Sequence, residues 1–334
     1  MKLAVAALVR NEIDIIGAFL QHLDALFDYA LLMDHNSIDG TDRAIAAACA
    51  RRAGWTMWHI DAVGYHQSAF SSMAVAHLMQ NTDADVVMLL DADEFINVPD
   101  RASLVEAFSR LTDPDSVGSL GWLNAVPALL HTRTICKGDE IWLPATAGRL
   151  GKAAIPRRYW LQHAYEARLG LGNHALYYEP ATVVPSVPVG QIVHLPIRSY
   201  TQIKSKVLAG VFAVMMQAPP QPLQCWHWYD ILYRIGAGTL RDEDLVGMAV
   251  HYSVKDSQTS NPVAWADLLA RGYAPARLAV AFGPAQPAVT DQLTIDPTQL
   301  VATILRRFQL ENLQTHKLVL QGDRLSCVPK EQAT

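Results

Sequence analysis

The stretch V-V-M-L-L-D-A-D-E-F-I, residues 86–96, decides the fold. Five apolar residues lead directly into three carboxylates within four positions. A continuous apolar run bounded by polar residues predicts a strand of a sheet that is covered on both faces. Ligands of open α/β sheets gather just beyond the carboxyl ends of such strands. The run therefore predicts a functional site as well as a strand.

The two aspartates of this run, Asp91 and Asp93, form a D-x-D pattern. Because side chains alternate along an extended chain, we expect both to point the same way, with Ala92 leaving space between them. Two converging oxygen ligands suit Mg²⁺ or Mn²⁺, either of which can bridge the phosphates of a nucleotide. The alternative is an acidic loop that merely ends a strand, since so short a pattern has many accidental matches.

Composition indicates a globular protein. Of the 334 residues, 51% are hydrophobic and 18% are charged, which is enough for a large core and argues against disorder. The net charge of −5 provides no general attraction to nucleic acid. The cysteines form no C-x-x-C pair, so we expect buried thiols in a reducing compartment at Cys49, Cys136, Cys225 and Cys327.

The amino-terminal residues 1–9 are basic and then apolar, as in a signal peptide, but the apolar run stops at Arg10. A first β-strand is the better interpretation. No later stretch has 18 uninterrupted apolar residues, so we predict a cytoplasmic protein. Peripheral contact with the inner face of a membrane stays open, as does the oligomeric state.

Strands and helices alternate along the first hundred residues. We predict strands at 2–9, 29–33, 56–60 and 86–90, and helices at 13–26, 42–53 and 68–79. This order predicts an α/β fold with a doubly wound, mainly parallel, Rossmann-like sheet whose strand ends share one edge. Neither G-x-G-x-x-G after the first strand nor G-x-x-x-x-G-K-[ST] occurs, so dinucleotide or P-loop binding is poorly supported.

The chain is predicted to divide after residue 218. Residues 1–115 would form a donor half and 116–218 an acceptor half, and a mainly helical part, 219–334, would begin with a proline-rich break at 219–222. In this last part we predict helices at 228–235, 243–252, 262–271 and 298–307, and a hairpin at 317–328.

Three motifs follow the predicted strands: L-V-R-N-E (8–12), D-H-N-S-I-D-G-T (34–41) and L-L-D-A-D-E-F-I (89–96). Together they resemble GT-A-fold glycosyltransferases, and in particular the family-2-like bacterial branch with a D-A-D-E-F segment. The short segments G-K-A-A-I-P (151–156), G-N-H (172–174) and H-L-P-I-R-S (194–199) also resemble this branch. The resemblance implies a nucleotide-diphosphate sugar donor over the first two strands and a D-x-D metal on its diphosphate.

Residue chemistry agrees with contacts to such a donor. Arg10 can donate to a phosphate or base, and Asn11 and Glu12 can bond a base or ribose edge. Asp34 is expected to accept from a nucleobase N–H, although His35 departs from the family's second aspartate. The remaining expected contacts to the donor are Ser37, Asp39, Gln67, Lys152 and Arg198. For Ser37 and Asp39, a role in a turn or a helix cap is equally open.

The resemblance also implies a third metal ligand, and His194 fits because it follows a strand-like stretch and precedes a proline turn. Sugar transfer with inversion, our working hypothesis, needs a general base near the acceptor hydroxyl. Glu94 and His174 are the candidate bases, and Glu94 is equally suited to holding the loop or binding the sugar. Lys204 and Lys206 lie on a predicted helix, where a solvated face is expected.

The leading prediction is therefore a metal-dependent hexosyltransferase-like enzyme that acts on a glycan or glycoconjugate acceptor in polysaccharide assembly. One alternative is a nucleotidyltransferase that makes nucleotide-diphosphate sugars, but residues 8–12 lack its glycine- and arginine-rich loop. The other is a non-catalytic carbohydrate-binding protein of the same fold, against which the intact Asp91 and Asp93 argue.

Overall fold

The first half of the main sheet is parallel, as the alternation of strands and helices predicted. In this computed structural model the described residues are 1–61, 66–128, 138–164, 166–178, 182–215, 226–252, 261–283, 316–321 and 324–329. The parallel half consists of β1 (Leu3–Val9), α1 (Ile16–Leu26), β2 (Tyr29–Asp34), α2 (Thr41–Cys49), β3 (Trp55–His59), α3 (Gln67–Asn81) and β4 (Val86–Leu89). The predicted α2 was too long, since the helix ends at Cys49.

The middle of the chain completes an eight-stranded sheet. Its elements are β5 (Glu94–Ile96), α4 (Arg101–Ser109), β6 (Val117–Asn124), β7 (Val126–Pro127), β8 (Glu140–Pro144), β9 (Gly151–Pro156), α5 (Arg157–His163), β10 (Ala167–Leu169), β11 (Leu176–Tyr178), β12 (Thr182–Val183), β13 (Ser186–His194) and α6 (Tyr200–Met215). The order in the main sheet is β3-β2-β1-β4-β9-β6-β13-β5.

Two strands run against the others in this sheet. The strand β9 is antiparallel to both of its neighbours, and β5 is antiparallel to β13. The predicted α/β class with a mainly parallel, doubly wound sheet is thus confirmed. One detail of the 86–96 run is wrong: it forms two strands, because β4 ends at Leu89 and β5 pairs at the far edge of the sheet.

Helices cover both faces of the sheet, which explains the uninterrupted apolar runs of the strands. Alternate residues of β1 enter different cores: Leu3 and Val5 pack with α1, α2 and α4, whereas Ala4 and Ala6 pack with α3. A strand with two buried faces has no polar position until it ends. The first polar side chains after these strands are therefore at the sheet edge, where the site lies.

The described part of 219–334 contains α7 (Trp226–Ala237), α8 (Asp242–Val250), β14 (Tyr273–Arg277), β15 (His316–Gln321) and β16 (Arg324–Pro329). The predicted helices at 228–235 and 243–252 and the strands of the predicted hairpin are confirmed. The predicted helix at 262–271 is instead two short 3-10 turns, Trp265–Asp267 and Leu269–Arg271. The break at 219–222 and the predicted helix at 298–307 lie outside the described residues, and the division at 218 stays a prediction.

No helix in the described ranges is both long and apolar enough to cross a bilayer.

His22 on α1 joins three distant segments of the fold. It is fully buried, its Nδ1 lies 2.7 Å from the carbonyl oxygen of Ala281, and its Nε2 accepts the N–H of Ile96 at 2.8 Å. A neutral imidazole with the proton on Nδ1 satisfies both partners, whereas an imidazolium cannot accept from Ile96. Burial lowers the pKa of His22 to about 4, and the bond to Ala281 opposes this only in part.

We expect this histidine to make stability depend on pH. Because its folded-state pKa lies below the unfolded value of about 6.5, its contribution is complete above pH 6.5 and is lost as the pH falls towards 4. Between pH 7 and 4, the wild-type protein should lose about 3 kcal/mol more unfolding free energy than His22→Gln. Urea unfolding at several pH values measures this difference. If the unfolding free energies of the two proteins changed equally with pH, the proposed effect of His22 on stability would be contradicted.

Candidate functional site

A cavity of about 720 Å³ opens at the carboxyl edge of the sheet. Seven of the predicted site residues line it: Arg10, Glu12, Gln67, Asp91, Asp93, His174 and His194. The other predicted site residues are not part of this lining: Asn11, Asp34, Ser37, Asp39, Glu94, Lys152 and Arg198. Strand ends that are far apart in sequence thus contribute to one cavity.

The D-x-D residues sit in a tight turn, so the expectation of an extended chain from Asp91 to Asp93 is wrong. The N–H of Glu94 donates to the carbonyl oxygen of Asp91 at 3.1 Å, and the N–H of Asp91 donates to Oε2 of Glu94 at 2.9 Å. This reciprocal pair closes the turn between β4 and β5. Both aspartates still line the cavity, but they meet different cations.

Asp91 is paired with the fully buried Lys152 of β9. The Lys152 Nζ lies 2.6 Å from Oδ2 of Asp91, 3.3 Å from Oε1 of Glu94 and 2.8 Å from the carbonyl oxygen of Gly172. Burial would lower the pKa of Lys152, but Asp91 and Glu94 outweigh it and raise the pKa. Burial raises the pKa of Glu94 well above its ordinary value, although Lys152 opposes this. Lys152 thus joins the D-x-D turn to the loop at 170–174.

Gln67, the first residue of α3, makes a second connection between the same two loops. Its Nε2 donates to Oδ1 of Asp91 at 3.2 Å, and its Oε1 accepts the N–H of Gly172 at 3.1 Å. Gly172 has a φ of +70°, and a Cβ there would overlap the ring of His174. Glycine is therefore required at 172 by both the backbone and the packing of the predicted base.

Asp93 belongs to a buried charge network that includes residues from three chain segments. Arg198 donates through Nε and Nη2 to both carboxylate oxygens of Asp14, and through Nη2 to Glu12 as well. Its Nη1 donates to the carbonyl oxygen of Leu195 and lies 3.7 Å from Oδ2 of Asp93. The predicted phosphate contacts of Arg198 and Lys152 stay predictions, since both cations here bind protein oxygens.

Protonation in this network follows burial and charge. Burial raises the pKa of Glu12 to about 7, and Arg198 counteracts only part of that effect. Burial would also raise the pKa of Asp93, but Lys206 and Arg198 outweigh it and hold this pKa below its ordinary value. Asp93 is therefore an anion at neutral pH.

His194 ends β13 beside Asp93. Its Nε2 lies 3.8 Å from Oδ1 of Asp93, and its Nδ1 lies 2.9 Å from Oδ1 of Asn124, which fixes the ring. Burial lowers the pKa of His194 to about 3, so the imidazole is neutral and Nε2 carries a lone pair. In many metal-binding histidines, the ring nitrogen that does not bind the metal makes a hydrogen bond that orients the ring, as Nδ1 does here with Asn124.

The pair Asp93 and His194 fits a divalent metal ion in ligand chemistry and orientation. Across the described residues, no group of three or more His, Cys, Asp or Glu side chains is arranged to hold a metal. Asp91 is turned to Lys152 instead, which leaves the predicted three-ligand set of Asp91, Asp93 and His194 as a prediction.

The prediction that Lys206 lies on a solvated helix face is wrong. Its Nζ lies 2.6 Å from Oδ2 of Asp93, and its side chain lines the cavity. The sequence contains a signal for this position, because the small residues Ala209, Gly210 and Ala213 follow Lys206 at helical spacing and line the cavity with it. That pattern indicates a helix face that another element approaches closely, and the ring of Trp228 does pack on Gly210.

The loops after β1 and β2 are fastened to each other by the predicted motif residues. The N–H of Asn11 donates to Oγ of Ser37, Oδ1 of Asn11 accepts the N–H of Ile38, and Asp39 accepts the N–H groups of Ile13 and Thr41. The turn and cap interpretation of Ser37 and Asp39 therefore has observed contacts. Nucleotide contacts by the same residues stay predictions.

Three polar atoms near this loop pair are buried without a hydrogen-bond partner among the described residues: Nε of Arg10, Nδ2 of Asn11 and Oδ1 of Asp34. Burial lowers the pKa of Arg10 to about 10, partly offset by the nearby Asp34. Burial raises the pKa of Asp34, and the hydrogen bonds from Ser37 oppose the rise. A buried polar atom without a hydrogen bond costs free energy of folding, so a ligand that hydrogen-bonds to these atoms would gain binding free energy.

His174 and His194 face the same tryptophan. The Trp122 ring is stacked on His194, with centroids 4.2 Å apart, and meets His174 edge-on at 4.7 Å. The Nδ1 of His174 lies 2.7 Å from the carbonyl oxygen of Gly151, which places the proton of a neutral ring on Nδ1. Trp122 and Tyr252 line the cavity, and no motif pointed to either residue.

Comparisons with known proteins identify no family for this chain. No protein-family description matches it, and no curated protein sequence is significantly similar. Similar solved structures include the mannosyltransferase PcManGT from Pyrobaculum calidifontis with GDP-Man and Mn²⁺, at 15% identity, covering 93% of this chain and 87% of that one, with a TM-score of 0.37.

Two further similar structures have lower scores. S. aureus TarS 1-349 with UDP is 10% identical, covers 99% of this chain and 97% of its own, and has a TM-score of 0.33. A 4-diphosphocytidyl-2C-methyl-D-erythritol synthase is 8% identical, covers 49% of this chain and 80% of its own, and has a TM-score of 0.30. Similarity at these levels assigns no activity to the chain.

We expect Lys152→Met to destabilise the protein by roughly 3 kcal/mol at pH 8, because it leaves two carboxylates without their buried cation. The loss should be smaller at pH 5, because the raised pKa of Glu94 favours protonation of this carboxyl as the pH falls. Urea unfolding followed by tryptophan fluorescence measures both values. Lys2→Met is the matched control, because Lys2 pairs with Asp28 on the surface and should matter little. Equal effects of the two substitutions would contradict the buried role of Lys152.

Proposed function

We propose that this protein is a metal-dependent glycosyltransferase that moves a sugar from a nucleotide-diphosphate donor to a glycan or glycoconjugate acceptor. The main support is the pair of Asp93 and neutral His194, 3.8 Å apart at the edge of a cavity of about 720 Å³. This volume is in the usual range for small-molecule sites. The three motifs that resemble GT-A enzymes end at the same edge.

Asp93 and His194 would hold the metal ion. An oxygen and an imidazole ligand together suit Mn²⁺, while Mg²⁺ prefers oxygen alone. When bound, the ion would neutralise charge on the leaving diphosphate. Asp91 would join as a third ligand only by giving up its contact with Lys152, so in this proposal it has a subsidiary part.

The nucleotide would lie over the ends of β1 and β2. There Arg10, Asn11 and Asp34 present the buried, unpartnered polar atoms described above. A carboxylate oxygen accepts a base N–H, and the guanidinium and amide groups donate to base carbonyls or to phosphate. Gln67 and the loop at 170–174 would then border the sugar, since both line the cavity beside Asp91.

Of the two candidate bases, His174 is the better supported. It lines the cavity, and the bond from Nδ1 to Gly151 directs the lone pair of a neutral ring to Nε2, where it can take a proton from an acceptor hydroxyl. Glu94 is fully buried, does not line the cavity and closes the D-x-D turn. We therefore assign His174 as the base of an inverting transfer and Glu94 as the residue that holds the turn.

Titration of the purified protein with UDP and GDP, with and without Mn²⁺, tests the proposal. Asp93→Asn should weaken Mn²⁺-dependent nucleotide binding at least 100-fold and abolish turnover, because it removes the charged ligand of the ion. Asp91→Asn should weaken binding much less. Circular dichroism checks that both variants are folded.

Metal-independent binding, or full activity of Asp93→Asn, would refute the metal role. Product formation from a nucleoside triphosphate and a sugar phosphate would favour the nucleotidyltransferase alternative. Glycan binding without nucleotide binding or turnover would favour the carbohydrate-binding alternative.

A further inference from the structure

Lys206 approaches the proposed metal ligand Asp93 from a helix that no donor motif includes. Its Nζ lies 2.6 Å from Oδ2 of Asp93, and the ring of Tyr252 lies 5.7 Å away. The Lys206 side chain is 22% exposed, whereas that of Asp93 is 3% exposed. A cation that borders the cavity therefore neutralises a carboxylate that is buried.

The second lysine of the site differs in this respect. Lys152 is fully buried, and its ammonium contacts Asp91, Glu94 and the carbonyl oxygen of Gly172. Moving Lys152 would leave the buried Glu94 carboxylate and the carbonyl oxygen of Gly172 without this cation, so it is a fixed part of the fold. Lys206 has a single ion pair among the described residues and faces open space, so it can turn away once another cation reaches Asp93.

We propose that Lys206 is a tethered cation that shares Asp93 with the divalent ion. It neutralises Asp93 in the metal-free protein and turns to the donor diphosphate when ion and nucleotide enter. The inference rests on the proposed function, since it requires a metal ion and a diphosphate in this cavity.

Charge balance explains the exchange. Without Lys206 or a metal ion, the described contacts of the buried Asp93 would be those to Arg198, at 3.7 Å, and to His194, at 3.8 Å, and a poorly compensated buried charge is unfavourable. A divalent ion on the same carboxylate would lie a few ångströms from the Lys206 ammonium and repel it. A diphosphate provides that ammonium with a new partner of opposite charge.

The helix face around Lys206 leaves room for this movement. Ala209, Gly210 and Ala213 follow it at helical spacing and line the cavity with it. The ring of Trp228 packs on Gly210, whereas the short side chains of Ala209 and Ala213 border the cavity, so a long lysine side chain can move beside them. The aromatic ring of Tyr252 borders the same space and can support a cation in either position.

The exchange makes metal and nucleotide binding mutually favourable. An ion that binds alone must displace Lys206 without offering it a partner, whereas an ion that binds with a diphosphate offers one. By linkage, each ligand should then tighten the binding of the other by the same factor. Removing the lysine charge should reduce that factor.

Mn²⁺ binding followed by electron paramagnetic resonance, with and without UDP or GDP, tests the inference without an activity assay. Lys206→Met should bind Mn²⁺ alone at least 10-fold more tightly than the wild type, and the gain on adding nucleotide should fall at least 10-fold. Lys206→Gln, which keeps a hydrogen-bond donor near Asp93, should change in the same direction. Lys204→Met, on the same helix but outside the cavity lining, should behave as the wild type.

The outcomes separate this inference from the proposed function. If the wild type binds Mn²⁺ with nucleotide and transfers sugar, but folded Lys206→Met and Lys206→Gln keep its Mn²⁺ affinity and coupling, only the role of Lys206 is overturned. If the wild type binds no Mn²⁺ even with UDP or GDP, the proposed function fails and the inference fails with it.

Discussion

Arg198 and the carboxylates around it form the interaction on which the site depends. The guanidinium is fully buried and contacts Glu12 and Asp14, which follow β1, and it lies near Asp93 in the turn after β4. Neither the arginine nor the carboxylates would be stable in this core alone, because a buried charge needs a partner. Their mutual requirement fixes the ends of β1, β4 and β13 relative to one another.

The two D-x-D aspartates have different neighbours in this arrangement. Asp91 is held by Lys152 and Gln67, both of which also hold the loop at 170–174, so it connects two walls of the cavity. Asp93 lies between Arg198, His194 and Lys206. The two residues share a motif, but their surroundings give them different chemistry.

Several motif residues form hydrogen bonds to the backbone of a neighbouring loop. Ser37, Asp39 and Thr41 accept backbone N–H groups from the loop after β1, so the loops after β1 and β2 hold each other in place. A loop that lines a cavity has few packing contacts of its own, and such bonds restrict its motion. The pairing of Val9 with Asp34 at the ends of β1 and β2 brings Arg10 and Asp34 together, and these bonds hold the loops that follow.

The sequence by itself determined the sheet, its strand order along the chain and the edge at which the site lies. Buried strands read as continuous apolar runs, and the first polar residue after each run marks its end, so β1, β2, β3 and β4 were predictable to within a residue or two. Asp91, Asp93 and His174 were predicted as site residues from their places at a strand end or in a glycine loop, and His194 was predicted from its strand end together with the resemblance.

Tertiary structure alone decided which charge meets which. The turn at 91–94 closes through the Glu94 side chain and ends the alternation expected of a strand, so Asp91 and Asp93 reach different cations. Lys206 lies 113 residues from Asp93, and Arg198 lies 186 residues from Glu12. Periodicity and motif spacing describe neighbours along one element, whereas an ion pair depends on how separate elements pack. The assignment of cations to carboxylates was therefore not contained in any local pattern.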